Sequence, residues 1–248
     1  MSRIATLLAL LACLLPQQVS GAEAPADERS TSYRQYRELF DAGNYIAALP
    51  LAVRVAELTA NQFGPEAPEL ANPLTNLATT LFRMDQYGDA LDTYRRALTL
   101  LELTGNSTDP RLIAPLHGLG ASLRALERHE DAIVPLKRAV DIIRNRDGLH
   151  APAQLPMLRL LIASYEQTRR NEDATREHMY AFNVAEQAWG GEDPRMIPVI
   201  AELAQWYEQT GRYSAARLLH IRTVQIADRE RPMSLKAIDG LRGIARTY

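Results

Sequence analysis

Residues 68–101, which read PELANPLTNLATTLFRMDQYGDALDTYRRALTLL, decide the fold of this chain. In the first part Leu74, Leu77, Ala78 and Leu81 fall at i, i+3, i+4 and i+7, which puts them on one face of a helix. A polar turn follows, and the second part again spaces Ala, Tyr, Ala and Leu as one helical face. Two short amphipathic helices cannot bury both apolar faces alone, so the stretch predicts neighbours of the same kind.

The same pattern recurs with a period of 42 residues. Small residues at fixed points let two helices pack closely, while Leu and Tyr fill the space between successive pairs. The small residue of the second helix recurs as Ala48, Ala90, Ala132, Ala174 and Ala216. The apolar face of the first helix recurs as Leu74, Leu116, Leu158 and Ile200, and as Leu77, Leu119, Leu161 and Leu203. Residues 241–248 repeat this face one residue out of phase, which predicts a single capping helix at the C-terminus.

Four short runs resemble the tetratricopeptide repeat, in particular the long variety found in kinesin light chains: 64–68 (GPEAP), 76–78 (NLA), 87–91 (YGDAL) and 94–98 (YRRAL). The resemblance covers roughly residues 33–248. It implies an all-α, right-handed α-solenoid of about five helix-turn-helix repeats plus the capping helix. It implies less about function, because the motif residues of this repeat are structural.

The first 22 residues have the pattern of a bacterial export signal. A short positive start precedes an almost wholly apolar run at 4–15, and small residues occupy 19–22. This pattern predicts a signal peptide that is cleaved after Ala22, and hence a periplasmic or secreted protein. Twelve apolar residues are too few to span a bilayer. We further predict a short flexible arm at 23–30 and a solenoid domain at 31–248. The two helices of its first repeat are expected near 31–42 and 44–62.

The single cysteine, Cys13, leaves one alternative open, because it follows a Leu-Leu-Ala run that resembles a lipobox. Lipid attachment at Cys13 would anchor the protein to a membrane. Cleavage after Ala22 instead leaves a mature chain without cysteine, which excludes disulfides, thiolate catalysis and cysteine-based metal sites. The full chain has a net charge of −2 and no basic stripe with interleaved aromatic residues, so nucleic acid is not an expected partner.

The sequence contains none of the common catalytic motifs, and it predicts neither a catalytic residue nor a cofactor. His178 and His220 occupy the same repeat position, 42 residues apart. Two such side chains on adjacent second helices would form a metal site if they met. The alternative is a core-facing position, since Tyr94 and Leu136 hold it in the other repeats. We favour the core position and predict no metal.

The resemblance implies that the first helices line a concave groove that accepts an extended peptide. Asn76 matches the asparagine with which kinesin-light-chain-like repeats hold a ligand's backbone amide, whereas its equivalents Gly118, Leu160 and Glu202 depart from that pattern. The arginines of the groove suit acidic side chains or a free C-terminus. The expected groove residues are Asn72, Asn76, Thr79, Arg83, His117, Arg124, Arg159 and Gln205.

Three candidate functions, each of a different class, are consistent with these observations. The first is an exported scaffold that binds a peptide segment of a partner protein in its groove. The second is a structural subunit of an envelope or secretion complex, held by its convex face or its ends. The third, an enzyme with an unrecognised site, has no residue pattern in its favour.

Overall fold

The computed structural model describes residues 26–230 and 234–248, and within them the chain is an all-α solenoid. The predicted signal peptide, Cys13 and residues 23–25 lie outside the described residues. Five helix pairs are followed by one further helix: α1 Ala26–Asp41, α2 Tyr45–Phe63, α3 Ala71–Arg83, α4 Tyr87–Glu102, α5 Ile113–Ala125, α6 His129–Asp147, α7 Leu155–Gln167, α8 Asn171–Trp189, α9 Met196–Gln209, α10 Tyr213–Glu230 and α11 Leu235–Arg246. Each helix packs on the next one along the chain, which confirms the predicted solenoid.

The helices approach each other most closely at the predicted small residues. The recurring alanine of the second helix is fully buried in all five repeats, at Ala48, Ala90, Ala132, Ala174 and Ala216. In α5 the backbone of Gly120 lies so near Leu136 that a Cβ at this position would come within 2.5 Å of the leucine side chain. These contacts fix the spacing of the helix pair, because no larger side chain fits between the two backbones.

The turn inside each repeat has one residue with a left-handed backbone, and it keeps the 42-residue period. The φ values are 75° at Gly43, 59° at Asp85, 60° at Glu127, 56° at Arg169 and 75° at Gly211. The same tight turn therefore connects the two helices of every repeat, although only the first and last copies use the residue best suited to it.

Three of the first helices are preceded by a 3-10 turn that begins at a proline: Pro68–Leu70, Pro110–Leu112 and Pro152–Gln154. Proline is favoured there because its fixed φ suits a helix start and its missing N–H needs no partner. Asp109 caps one of these turns by accepting a hydrogen bond from the backbone N–H of Arg111 at 2.9 Å.

The first repeat differs from the prediction at its N-terminal boundary. Helix α1 begins at Ala26, so residues 26–30 are helical and do not belong to a flexible arm. Arg54 of α2 holds this extra turn by donating to Glu28 at 2.6 Å. Tyr36 occupies a small-residue position of the later repeats and is buried, with its hydroxyl donating to the carbonyl of Asn76 at 3.2 Å.

No helix within residues 26–230 and 234–248 is long and apolar enough to cross a membrane.

Candidate functional site: the concave face

The first helices of the repeats each leave one side uncovered. We call the surface formed by these sides in α3, α5, α7 and α9 the concave face, as in other solenoids of helix pairs. Asn72, Arg83, Arg159 and Gln205 are exposed on it, whereas Asn76, Thr79, His117 and Arg124 are half-buried. All eight predicted groove residues thus reach solvent to some degree, but their contacts divide them into separate groups.

In α7 and α9 the concave face is held by an ion pair. The Nε of Arg159 lies 2.7 Å from Glu202 Oε1 of the neighbouring first helix. Because Arg159 already has a carboxylate partner, it offers less to an acidic ligand than its exposure suggests. An exposed pair of this kind adds little stability, typically about 0.2–1 kcal/mol.

Arg159, Glu202 and buried His178 of α8 line a cleft of about 210 Å³. His178 Nε2 donates to Glu166 Oε1 of α7 at 2.8 Å, and the indole of Trp206 stacks on the imidazole with 5.5 Å between ring centres. The cleft brings Arg159 together with Gln205 on its opposite wall.

The next repeat has the same arrangement, since His220 Nε2 lies 2.5 Å from Glu208 Oε1. Glu208 also accepts from Arg246 of α11 at 3.1 Å. Burial alone would raise the pKa of Glu208, but its hydrogen bonds to Arg246 and His220 outweigh burial and lower it. Each histidine is therefore buried, as the core interpretation predicted, and it also binds a glutamate of its own repeat, which was not predicted. The residues at 26–230 and 234–248 include no cluster of His, Cys, Asp or Glu that could hold a metal ion.

Helix α5 presents a different situation. The Nε of Arg124 is buried without a hydrogen-bond partner among the described residues. Burial lowers the pKa of Arg124, although the charge of Glu166 partly opposes this effect, and burial also lowers the pKa of His117. A buried donor without an acceptor costs free energy, and the Nε of Arg124 is such a donor among the described residues.

The residues of α3 are less tied to one another. The hydroxyl of Thr79 donates to the backbone of Thr75 and lies 2.9 Å from the hydroxyl of Tyr94. The backbone carbonyl of Asn76 accepts from Tyr36 and Thr80, and its side-chain amide forms no hydrogen bond within the described residues. Exposed Arg83 forms no ion pair with any residue that the structure describes.

Asn72 belongs to a second cleft at the N-terminal end of the concave face. This cleft of about 480 Å³ lies between α1, α2 and α3, and the aromatic rings of Tyr33 and Phe63 line it. The guanidinium of Arg29 lies 5.2 Å from the centre of the Phe63 ring. Asn72 is therefore separated from the cleft that holds Arg159 and Gln205.

The predicted groove arginines do not all hold the same position of the repeat. With a period of 42 residues, the equivalent of Arg83 is Ala125, so Arg83 and Arg124 do not occupy the same repeat position. Sequence analysis missed Glu166 and Trp206 as groove residues. A signal for Glu166 was present, because Glu166 and Glu208 recur in phase twelve residues before the two histidines.

The chain is similar to proteins built from tetratricopeptide repeats. The sequence profile of the tetratricopeptide repeat matches residues 39–103 and 82–145. A structure of a kinesin-light-chain protein with nearly identical TPR-like repeats from Podosopora anserina is 19% identical, with a TM-score of 0.73 over 82% of this chain and 97% of that one. No curated protein sequence matches the chain.

Two further structures share the fold at lower similarity. BtubC (BKLC) from P. vanneervenii is 19% identical, with a TM-score of 0.65 over 82% of this chain and 81% of that one. The apo form of RapI is 13% identical, with a TM-score of 0.68 over 88% of this chain and 81% of that one. At these identities the likeness concerns the fold.

The 42-residue period, the buried alanines and these matches all indicate the same fold, a solenoid of tetratricopeptide repeats. A tetratricopeptide-repeat fold supports a general role as a scaffold for protein–protein interaction. Residues 39–145 thus match the tetratricopeptide repeat in sequence, and the fold of the chain is similar to that of solved kinesin-light-chain-like tetratricopeptide-repeat structures.

Proposed function

We propose that the protein is an exported scaffold that binds an extended, acidic segment of a partner protein along the α3–α5 half of its concave face. The single observation that carries this proposal is that neither Arg83 nor Arg124 forms an ion pair within the described residues, whereas Arg159 is bound to Glu202. A carboxylate of a bound segment would pair with these two guanidinium groups. A hydrogen bond to a charged group of this kind contributes about 1.5–3 kcal/mol.

The charges nearby favour an acidic ligand over a basic one. Arg83 is exposed and Arg124 half-buried, and neither forms an ion pair within the described residues, whereas Arg159 is already bound to Glu202. Of the three groove arginines, the two without an ion pair among the described residues therefore lie on α3 and α5. Adjacent first helices lie on the order of 10 Å apart, a distance that an extended peptide covers in about three residues.

A backbone contact would set the register of the bound segment. The side-chain amide of Asn76 forms no hydrogen bond within the described residues, and it carries both a donor and an acceptor, as a peptide group requires. Thr79 lies on the same exposed side of α3, one turn further along the helix. In this arrangement Asn76 binds the peptide backbone and the arginines select acidic side chains.

The experiment is a selection of displayed random peptides against the purified protein, followed by titration of the best binder. We expect the selected peptides to be acidic, and we expect their affinity to fall as salt rises, since the screening length is about 8 Å at physiological ionic strength. Arg83→Glu combined with Arg124→Gln should weaken binding at least tenfold. The control is Arg96→Glu, an exposed reversal on second helix α4, which should leave affinity unchanged. Selected peptides of no common charge, or equal affinity in both variants, would refute the proposal.

Export is supported by the sequence of residues 1–22 and is tested separately. We expect the mature protein to begin at Glu23 and to carry no lipid. Intact mass of the protein from the periplasm or the medium measures this directly, and a lipid-modified Cys13 at the new N-terminus would contradict it.

A further inference from the structure

The cleft lined by Arg159, Glu202 and His178 has the size of one side-chain end. Its volume of about 210 Å³ lies below the roughly 300–1,000 Å³ of pockets that hold drug-sized ligands. Two of its lining residues belong to the packed interior, since His178 is 6% exposed and Trp206 is 4% exposed, and their rings stack. A preformed cleft of this size can enclose the end of one side chain rather than a peptide segment.

Three acceptor atoms of the lining residues have no hydrogen-bond donor within the described part of the chain. Oε1 of Glu166 accepts from His178, and Oε1 of Glu202 lies next to Arg159, but Oε2 of each carboxylate is left over. The third acceptor is Nδ1 of His178, because a neutral imidazole that donates through Nε2 offers Nδ1 as an acceptor. This nitrogen bonds to no described residue and is not sealed from solvent. An occupant that satisfies these atoms needs several donors.

The charges that line the cleft favour a cation. Arg159 supplies one positive charge against the two negative charges of Glu166 and Glu202. The charge of Arg124 also acts on Glu166, but Arg124 does not line the cleft. The chain itself already places a guanidinium here, since the Nε of Arg159 lies 2.7 Å from Glu202 Oε1 while its side chain stays 55% exposed. A second guanidinium would therefore meet carboxylates that accept this group.

We propose that the cleft binds the guanidinium group of an arginine side chain from a partner protein. A guanidinium has five N–H donors in one plane, enough for Oε2 of both glutamates and Nδ1 of His178. A lysine ammonium carries its three donors on one atom and suits separated acceptors less well. Arg159 competes with the ligand for Glu202. The arginines of α3 and α5 take no part, so this proposal does not rest on the acidic segment proposed above.

The test titrates the full chain with three capped amino acids by NMR. They are N-acetyl-arginine amide, N-acetyl-lysine amide and N-acetyl-citrulline amide, which has the shape of arginine without its charge. The indole N–H of Trp206 is the reporter, and Trp189, which does not line the cleft, is the internal reference. We expect the arginine amide to shift the Trp206 signal in a saturable way while the Trp189 signal stays in place. The lysine amide should bind at least threefold more weakly and the citrulline amide at least tenfold more weakly.

Two variants test the contacts within the cleft. Glu202→Gln removes one carboxylate and should weaken binding of the arginine amide at least fivefold. Arg159→Gln removes the competing guanidinium and should tighten it at least threefold. The matched controls are Glu172→Gln on α8 and Arg96→Gln on α4, exposed changes outside the cleft, which should alter binding less than twofold. All four side chains reach solvent, so the melting temperature should be kept.

Equal binding of the arginine and citrulline amides, or a Trp206 signal without a saturable shift, would overturn the proposal. Unchanged or weaker binding in Arg159→Gln would do the same, because a cation that does not compete with Arg159 does not lie against Glu202. A lysine amide that binds as tightly as the arginine amide would overturn the assignment to a guanidinium. No acidic peptide is present in this titration, so its failure is distinct from a failure of the proposed function.

Discussion

The two halves of the concave face carry different chemistry on the same backbone. At one position of the repeat α5 has Arg124, whereas α7 and α9 have Glu166 and Glu208. The second-helix residue that binds each glutamate is a histidine, and its counterpart in α6 is Leu136. In the C-terminal half these glutamates and histidines satisfy one another, whereas in α5 the Nε of Arg124 has no acceptor among the described residues.

This difference shows that stability and ligand binding depend on different positions of the repeat. The buried alanines and leucines keep the 42-residue period in both halves, so both halves have the same fold. A polar residue at an equivalent position either binds inside its own repeat or remains available to a ligand.

The largest expected effect tests whether the repeats share one register. Ala132→Arg would force a charged side chain into a fully buried helix contact where it finds neither space nor a partner. We expect it to destabilise the protein by about 3 kcal/mol or more, measured by urea unfolding. Arg95→Ala, an exposed change on α4, should stay within roughly 0.5 kcal/mol. Similar unfolding curves for the two variants would show that the register is wrong.

A smaller effect is expected at the closest contact between neighbouring repeats. Gly118→Ala places a methyl group where the ring of Tyr94 now lies, and we expect overpacking to cost about 1–3 kcal/mol. Gly88→Ala in α4 is the matched control, because no atom lies within 4 Å of its added Cβ and the residue is helical. It should be neutral or stabilising by up to about 1 kcal/mol. The opposite order in melting temperature would contradict the close approach of α4 and α5.

The glutamate–histidine pair of the C-terminal half can be broken from one side. Glu166→Ala leaves the Nε2 of buried His178 without its acceptor, which should cost about 1–3 kcal/mol. Adding His178→Leu also removes the unsatisfied imidazole, and leucine is the residue that α6 has at this position. The double variant should therefore be more stable than the sum of the two single changes implies. Strict additivity in a double-mutant cycle would mean that the pair contributes nothing.

Acid should loosen the C-terminal end of the solenoid first. The pKa of Glu208 is lowered below its ordinary value of 4.5, so its contribution is present above that value and is lost as pH falls through the lower folded-state pKa. We expect protection of α11 amides from hydrogen exchange to fall over this acidic range. Glu208→Gln should remove that dependence on pH, and an unchanged pH profile in the variant would exclude Glu208 as its origin.

The fold could be predicted because its determinants are periodic. Ala90, Ala132 and Ala174 recur at one spacing, and packing leaves no freedom at such positions. The start of α1 could not be placed, since residues 26–30 are polar and become helical with help from a distant contact, Arg54 with Glu28.

The binding chemistry was harder to predict for a related reason. Groove positions are exposed, so packing does not restrict them, and their roles depend on which neighbour they contact. Arg159 and Arg124 look alike in sequence, but Glu202 binds the first and no described residue accepts from the Nε of the second. The recurrence of Glu166 with His178 was visible, whereas the stacking of Trp206 on that histidine depends on the three-dimensional arrangement.

The comparison of these two arginines is the most direct test of the account. An acidic peptide selected against the protein is titrated by calorimetry into the wild type, Arg124→Gln and Arg159→Gln. We predict that Arg124→Gln weakens binding at least tenfold, which corresponds to about 1.4 kcal/mol, and that Arg159→Gln changes it less than twofold because Glu202 already holds that side chain. Equal losses in the two variants, or a larger loss in Arg159→Gln, would contradict it.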